Sequence, residues 1–167
     1  MDAVQTPLGS ATCLVISRDL RLMESPATEA LVPAVVVRGE VNGLGVVRSL
    51  AEGGVPTAVV DTTLRHAAMW SRFSTRHVVH QLFGRPFVED LLALQKQLAA
   101  RPVLILTDEM SVHSVSECRT ELSPNYRFRL PSPAMVSTLC NKALFQNFAE
   151  QHGLPVPRAI ILEGESG

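Results

Sequence analysis

Three short runs of aliphatic residues constrain the fold of this chain most strongly. The segments AVVVR (34–38), TAVVD (57–61) and VLILT (103–107) are apolar almost throughout. A strand with one solvated face alternates apolar and polar residues, whereas a strand of a parallel sheet is covered on both faces and is apolar without interruption. The three segments therefore predict buried strands of a mostly parallel sheet.

Amphipathic segments separate these strands and predict helices. Residues 44–52 place apolar side chains at helical spacing before Gly53 and Gly54, and residues 87–100 carry a leucine-rich stripe. Weaker patterns predict a helix at 65–73, a strand at 77–82, a helix at 112–122, an extended segment at 126–130, a helix at 142–152 that buries Leu144, Phe145 and Phe148, and a strand at 159–162. Alternating strands and helices predict an α/β fold, a three-layer, mostly parallel, doubly wound sheet of Rossmann-like type.

Composition excludes several classes of function. The 167 residues are 46% hydrophobic, and 15 Lys and Arg nearly balance 16 Asp and Glu, so there is no net positive charge to attract nucleic acid. The longest apolar stretch, 30–37, is far too short to span a bilayer, and the N-terminus has no secretory signal pattern, so we expect a cytoplasmic protein. The three cysteines are far apart and predict neither a disulfide framework nor a metal site.

The glycine-containing segment 39–45 is the first candidate site. Gly39, Asn42, Gly43 and Gly45 follow a predicted strand and precede a predicted helix, where backbone N–H groups can meet an anion. Asp61 ends the next strand about 20 residues later, as a ribose-binding carboxylate does in dinucleotide-binding folds. The glycine spacing is G-x-x-x-G-x-G rather than G-x-G-x-x-G, so a second interpretation stays open, in which the glycines only permit a tight turn and close helix packing.

Thr107, Asp108 and Glu109 form the second candidate, because they follow the strand 103–107 at its carboxyl end. Open α/β sheets bind ligands at that edge, at the point where successive connections run in opposite directions. If the strands 34–38 and 103–107 are neighbours, these side chains face the glycine-containing segment across one crevice and can bind a small substrate. The alternative is that Asp108 or Glu109 caps the following helix or is merely solvated.

Lys142 is the third candidate. It begins the last amphipathic helix, where a cation gains nothing from the helix dipole, so another group can require its charge. The alternative is an ordinary surface lysine.

The order of several segments resembles a known family. VRSLAEGGVPTAVVD, SRFSTRHVV, VLILTDEMSVHSVSECRTEL and YRFRLPSPAMVSTLCNKALFQNFAEQHGLPVPRAIIL are similar to predicted carboligases of the ATP-grasp superfamily, relatives of D-aspartate ligase and the carbamoyl-phosphate synthetase large subunit. The resemblance covers roughly residues 34–162. In that family an Asp-Lys pair opens the helix that enters the ATP-grasp domain, and the lysine commonly reaches the phosphates of the nucleotide. Lys142 matches the lysine, and Asn141 replaces the aspartate.

The resemblance implies an N-terminal domain of an ATP-dependent ligase. Such enzymes activate a carboxylate as an acyl phosphate with MgATP, and an amine or similar nucleophile then displaces phosphate. Residues 34–140 would be the pre-ATP-grasp domain, residues 141–167 a linker helix and first strand leading into a missing ATP-grasp domain, and residues 1–33 an N-terminal extension in which 12–17 can form an extra strand. The Mg²⁺ ligands lie in the C-terminal subdomains of the family, so this chain alone is expected to hold neither ATP nor metal and not to catalyse.

The expected partners are the missing domain, a small carboxylate substrate and, as a further option, a second copy of the chain. Two other functions remain open. One is a self-contained Rossmann-like nucleotide-binding module that uses Asp61 for a ribose. The other is a stand-alone interaction domain.

Overall fold

The computed structural model describes residues 31–98, 100–157 and 159. Four strands and six α-helices alternate along this part of the chain, with a short 3₁₀ helix at Ala67–Trp70. The strands are β1 (Ala34–Val37), β2 (Thr57–Asp61), β3 (Thr75–Val78) and β4 (Val103–Leu106). The helices are α1 (Val41–Glu52), α2 (Gly84–Gln95), α3 (Glu109–Glu117), α4 (Arg119–Leu122), α5 (Pro133–Cys140) and α6 (Lys142–Gln151).

The four strands form one parallel sheet in the order β3-β2-β1-β4. Val36 in the middle of β1 lies opposite Val59 of β2 on one side and Ile105 of β4 on the other. The chain builds outward from β1 to β3 and then returns to place β4 on the free side of β1. The condition for a shared crevice, that these two strands are neighbours, is met, and the reversal creates a switch point between their carboxyl ends.

Alternate residues of the central strand enter two different cores. Val35 and Val37 pack with the apolar stripe of α2 and with Val115 of α3, whereas Val36 packs on the opposite face with Val47 of α1. Because successive side chains of a strand point to opposite faces, both faces of β1 are fully buried. The sheet therefore lies between two helical layers, and the predicted three-layer α/β fold is confirmed.

Several element boundaries differ from the sequence-based expectation. Helix α1 begins at Val41 rather than at residue 44, so Asn42, Gly43 and Gly45 belong to a helix and not to a loop. The low helix propensity of glycine is outweighed because α1 packs closely on β1. Strand β3 begins and ends earlier than expected, and α2 ends at Gln95 instead of continuing to residue 100.

The C-terminal half of the described chain contains two further differences. The predicted helix 112–122 is two helices, α3 and α4, separated at Cys118. Helix α5 was not predicted, although its start carries a clear signal, because Ser132 accepts a hydrogen bond from the Met135 N–H and Pro133 occupies the first turn. The extended segment 126–130 joins the sheet through a single bridge between Val103 and Arg127.

Helix α6 forms as predicted, but its apolar side chains are not buried as predicted. Leu144 and Phe145 are 47% and 37% exposed, and Ala149 is the buried residue of this helix. The amphipathic pattern identified the helix correctly; Phe148 is half-buried, and α5 packs against the helix without covering Leu144 and Phe145. The predicted strands 12–17 and 159–162 lie outside the described residues, except for Ala159.

Within the described ranges, no helix is long and apolar enough to cross a lipid bilayer.

Candidate functional site

The carboxyl ends of β1 and β4 meet through the side chain of Thr107. Its hydroxyl donates to the carbonyl oxygen of Val37 at 2.8 Å and lies 3.2 Å from the carbonyl oxygen of Arg38. The backbone N–H of Thr107 also donates to Val37. Sequence reasoning placed Thr107 and Gly39 at one crevice, and the structure brings the two strand ends together. The Thr107 hydroxyl is hydrogen-bonded to the backbone at the end of β1.

Arg38, directly after β1, has an unusual backbone conformation. Its φ of 74° is the one positive value among the non-glycine residues that the structure describes. The N–H of Arg38 donates to Val60 of β2, while Thr107 of β4 contacts its carbonyl oxygen. Backbone held from both neighbouring strands can keep a conformation that is otherwise unfavourable, and such positions cluster at functional sites.

Two of the predicted glycines are required for packing. The N–H of Gly39 donates to Oδ2 of Asp61 at 2.6 Å, and a side chain at Gly39 would press on that carboxylate and on Met69. At Gly43, a Cβ atom would lie 2.0 Å from the carbonyl oxygen of Arg38. Only glycine lets α1 approach the end of β1 this closely. The packing interpretation of the sequence therefore accounts for Gly39 and Gly43.

The other two predicted residues of this segment are accessible. Asn42 is exposed in the first turn of α1, and Gly45 is exposed with open space where a side chain would stand. Asn42 therefore lies close to the carboxyl end of β1. Gly45 lies one turn further along the helix.

Asp61 is buried and fully engaged within the protein. Its Oδ2 accepts hydrogen bonds from the Gly39 N–H and from Nδ1 of His66, both at 2.6 Å, and its Oδ1 accepts from the Thr62 N–H at 2.6 Å. Its side chain is only 1% exposed. The carboxylate fixes the ends of β1 and β2, so the expectation that Asp61 binds a ribose is wrong: no accessible oxygen remains for a hydroxyl group.

Three charged residues that sequence reasoning missed converge beside Asp61. Oε1 of Glu40 accepts a hydrogen bond from Arg38 at 2.8 Å and lies 3.4 Å from Nε2 of His66. The hydrogen bond between the two side chains raises the pKa of Arg38 and lowers the pKa of Glu40. Arg38 and Glu40 flank Gly39 and could have been found as charges next to the end of a buried strand. His66 has no such signal, because its position depends on the fold of residues 62–66.

Asp108 caps α3, as one interpretation of the sequence had it. Its Oδ1 accepts from the N–H of Ser111 at 3.0 Å, and its Oδ2 accepts from the Ser111 hydroxyl at 2.6 Å. Glu109 is exposed in the first turn of the same helix, where its charge favours the helix N-terminus. Burial, with a smaller contribution from Glu109, raises the pKa of Cys140. Of the predicted pair Asp108 and Glu109, Asp108 is engaged in capping α3, and Glu109 is the carboxylate that is accessible.

Lys142 is exposed at the first position of α6, and none of the acidic side chains described lies within ion-pair distance of it. Asn141 occupies the cap position, and its Oδ1 accepts from the N–H groups of Ala143 and Leu144, both at 3.0 Å. The asparagine found where the family has an aspartate therefore performs the capping that either residue can perform.

No group of three or more His, Cys, Asp or Glu side chains in the described part of the chain is arranged to hold a metal ion.

Comparison with known proteins identifies the fold through solved structures alone. No protein-family model matches the chain, and no curated protein matches it. The chain is similar to N5-carboxyaminoimidazole ribonucleotide synthetase from Thermotoga maritima, with a TM-score of 0.56 and 21% identity over 77% of this chain and 32% of that chain. The enzyme from Thermus thermophilus gives a TM-score of 0.55 and 14% identity over 74% of this chain and 31% of that one.

An ADP complex of N5-carboxyaminoimidazole ribonucleotide synthetase is similar to the same degree, with a TM-score of 0.54 and 20% identity over 78% of this chain and 32% of the other. The chain spans about a third of the length of these structures. At this identity the similarity shows the fold alone, a parallel α/β fold that the chain shares with part of each of these structures.

Proposed function

We propose that this chain is the substrate-side domain of an ATP-dependent ligase, which activates a small carboxylate as an acyl phosphate and transfers the acyl group to an amine or similar nucleophile. The observation that carries the proposal is the fold shared with synthetases three times as long, one of them solved with ADP. The switch point between β1 and β4 lies where open α/β sheets bind ligands, and Arg38, Asn42 and Glu109 are accessible there.

The exposed surface of helix α6 is evidence for a neighbouring nucleotide-binding domain. Leu144 and Phe145 are large apolar side chains that the described chain leaves exposed, next to the unpaired cation of Lys142. A second domain packed on α6 would bury the apolar pair and bring a nucleotide phosphate within reach of the lysine. Exposed apolar surface of this kind is typical of an interface between domains.

In the proposed enzyme, ATP and Mg²⁺ are held mainly outside this chain. The resemblance in sequence makes Lys142 the candidate phosphate ligand, and its exposed side chain, with no described carboxylate within ion-pair distance, fits that role. Two Mg²⁺ ions would neutralise the phosphates during transfer. The cytoplasmic location, the domain boundaries and a homodimer stay predictions.

The self-contained dinucleotide-binding alternative has lost its main support, because the carboxylate proposed for the ribose is buried. A titration with NADH, followed by its fluorescence, tests that alternative directly. We expect no binding.

The stand-alone interaction domain is tested by reading the gene beyond the codon for Gly167, where we expect the coding sequence to continue into an ATP-grasp domain.

The ligase activity itself is tested with the complete gene product. Incubation with MgATP, a set of small carboxylates and hydroxylamine should yield a hydroxamate from one of them, together with ADP, because hydroxylamine traps an acyl phosphate. ADP release without hydroxamate from any carboxylate would contradict an acyl-phosphate intermediate. In calorimetry the 167-residue chain alone should bind MgATP no more tightly than the millimolar range, and submillimolar binding would show that the nucleotide site lies within it.

The role of Lys142 has a matched control, because Lys96 is the other lysine of the chain and is also exposed. Lys142→Met should raise the KM for ATP of the complete enzyme about tenfold or more, the usual effect of losing a charge-assisted hydrogen bond. Lys96→Met should leave it unchanged. Equal effects of the two substitutions would remove Lys142 from the phosphate site.

A further inference from the structure

Glu40 occupies an unexpected position for its side chain. It is the residue before α1, where a side-chain oxygen normally accepts a hydrogen bond from the first turn of the helix, yet Glu40 makes no such cap. Its Oε1 instead accepts from the Arg38 guanidinium at 2.8 Å and lies 3.4 Å from Nε2 of His66. Two nitrogen groups from different segments thus converge on one carboxylate oxygen.

The His66 ring and the backbone of Arg38 are fixed by the fold. Nδ1 of His66 donates to the buried carboxylate of Asp61 at 2.6 Å, since a carboxylate can only accept, and this directs Nε2 outward, where it donates to a second carboxylate when the ring is in its imidazolium form. The backbone of Arg38 is held by Val60 on one side and by Thr107 on the other. A ligand that binds here meets an oriented imidazole beside a guanidinium carried on fixed backbone, and this reduces the ordering that opposes its binding.

Glu40 is held much less firmly than His66. Its side chain is 48% exposed, and the Arg38 side chain facing it is 38% exposed. Exposed ion pairs contribute little stability because water competes for both charges. The Glu40 carboxylate can therefore rotate away and leave Arg38 and His66 to another anion.

The surrounding charge selects the kind of anion. Asp108 and Asp61 act on Arg38 electrostatically in addition to Glu40, so the environment of the guanidinium is already rich in negative charge. A monoanionic carboxylate can replace that of Glu40 without changing the balance. A phosphate dianion would add repulsion from the neighbouring carboxylates.

We propose that Arg38 and His66 form the receptor for the carboxylate of the substrate, and that Glu40 fills this receptor as an internal competitor when the substrate is absent. The proposal rests on the proposed function for the nature of the ligand. It adds the residues that recognise the substrate, none of which was among the sequence-based candidates.

Propionate is the probe for the test, titrated into the 167-residue chain at pH 7 and followed by the NMR signals of the His66 ring and the Arg38 side chain. Glu40→Gln should bind propionate more tightly than the wild type. If Glu40 fills the receptor in about nine of ten molecules, its removal raises the apparent affinity about tenfold. Arg38→Gln in the Glu40→Gln background should abolish the gain.

Glu52→Gln is the matched control, because Glu52 is an exposed carboxylate at the other end of α1. It removes the same charge and should leave the affinity at the wild-type value. An equal gain from Glu52→Gln, or no gain from Glu40→Gln, would overturn the receptor. Tighter binding of inorganic phosphate than of propionate to the Glu40→Gln variant would overturn the assignment to a carboxylate.

This titration needs neither ATP nor a second domain, so its result is independent of the hydroxamate assay. Propionate binding as expected in a protein that forms no hydroxamate would retain the receptor and reject the ligase. Hydroxamate formation with an unchanged KM for the carboxylate in Arg38→Gln would retain the ligase and reject the receptor.

Discussion

Substitution of Gly43 by alanine tests the closest contact in the fold. The added Cβ atom would lie 2.0 Å from the carbonyl oxygen and 3.1 Å from the carbonyl carbon of Arg38. Both are backbone atoms held in the sheet, so they cannot rotate away as a side chain would. Helix α1 would have to retreat from β1 by about 1 Å, which would loosen the buried contact of Val47 with Val36 and Val59.

The magnitude follows from two opposing effects. Alanine in a helix interior is favoured over glycine by about 0.5–1 kcal/mol, whereas overpacking costs about 1–3 kcal/mol, and more where the obstacle is backbone. We expect Gly43→Ala to lower the free energy of unfolding by about 2 kcal/mol. Gly45→Ala is the matched control in the same helix, because nothing lies within 4 Å of its added Cβ atom. This variant should gain about 0.5–1 kcal/mol.

Urea unfolding followed by far-ultraviolet circular dichroism measures both variants on the 167-residue chain. A change of 1 kcal/mol moves the midpoint by roughly 0.3–1 M for slopes of about 1–3 kcal/mol per molar urea. The two midpoints should move in opposite directions from that of the wild type. If Gly43→Ala is as stable as Gly45→Ala, α1 does not touch the end of β1, and the account of the switch-point geometry is refuted.

Two further predictions concern buried polar groups. Tyr126 is fully buried, and its hydroxyl donates to the carbonyl oxygen of Leu91 at 2.6 Å. Tyr126→Phe should therefore lower the free energy of unfolding by about 1–2 kcal/mol in the same urea assay. A loss below about 0.5 kcal/mol would show that this hydrogen bond adds nothing to stability. Burial lowers the pKa of His77, so the native state holds this ring neutral at a pH where the unfolded chain, with a pKa near 6.5, already binds a proton. The free energy of unfolding should therefore fall as the pH drops below about 6.5, by up to about 1.4 kcal/mol for each pH unit that separates the pKa of His77 in the unfolded chain from its pKa in the folded protein. His77→Gln should flatten this dependence. An unchanged slope in His77→Gln would assign the pH dependence to other groups.

The fold could be predicted because its strands are buried on both faces. A run such as VLIL has no polar position that could face water. Such a run therefore predicts a strand of a parallel sheet whose two faces are both covered by helices. The candidate site was placed on the condition that β1 and β4 are neighbours, and the structure shows that they are. Element boundaries were less certain, because glycine propensity suggested a loop where packing on β1 imposes a helix.

The site could be predicted by location but not by residue. Glycines and carboxylates after strands were taken as the groups that meet a ligand, because those residue types do so in familiar folds. The structure instead uses Gly39, Gly43, Asp61 and Asp108 to fix the backbone or cap a helix. The role of His66 depends on a contact across the fold with Glu40, and no local pattern in the sequence contains it.

The arrangement at the switch point explains why the two strands that flank β1 supply the scaffold and β1 supplies the accessible charge. Asp61 at the end of β2 and Thr107 at the end of β4 each reach inward and bind the backbone that follows β1. Backbone polar groups at the end of a buried strand must find partners, because burying them unpaired is costly. Once Asp61 and Thr107 have satisfied those groups, their own side chains are occupied, whereas the side chain of Arg38 projects from a backbone fixed on both sides. A ligand at this edge therefore meets the residue after β1 first, and the same reasoning directs attention to that position in any doubly wound sheet whose switch-point strand is flanked by strands that end in Asp and Thr.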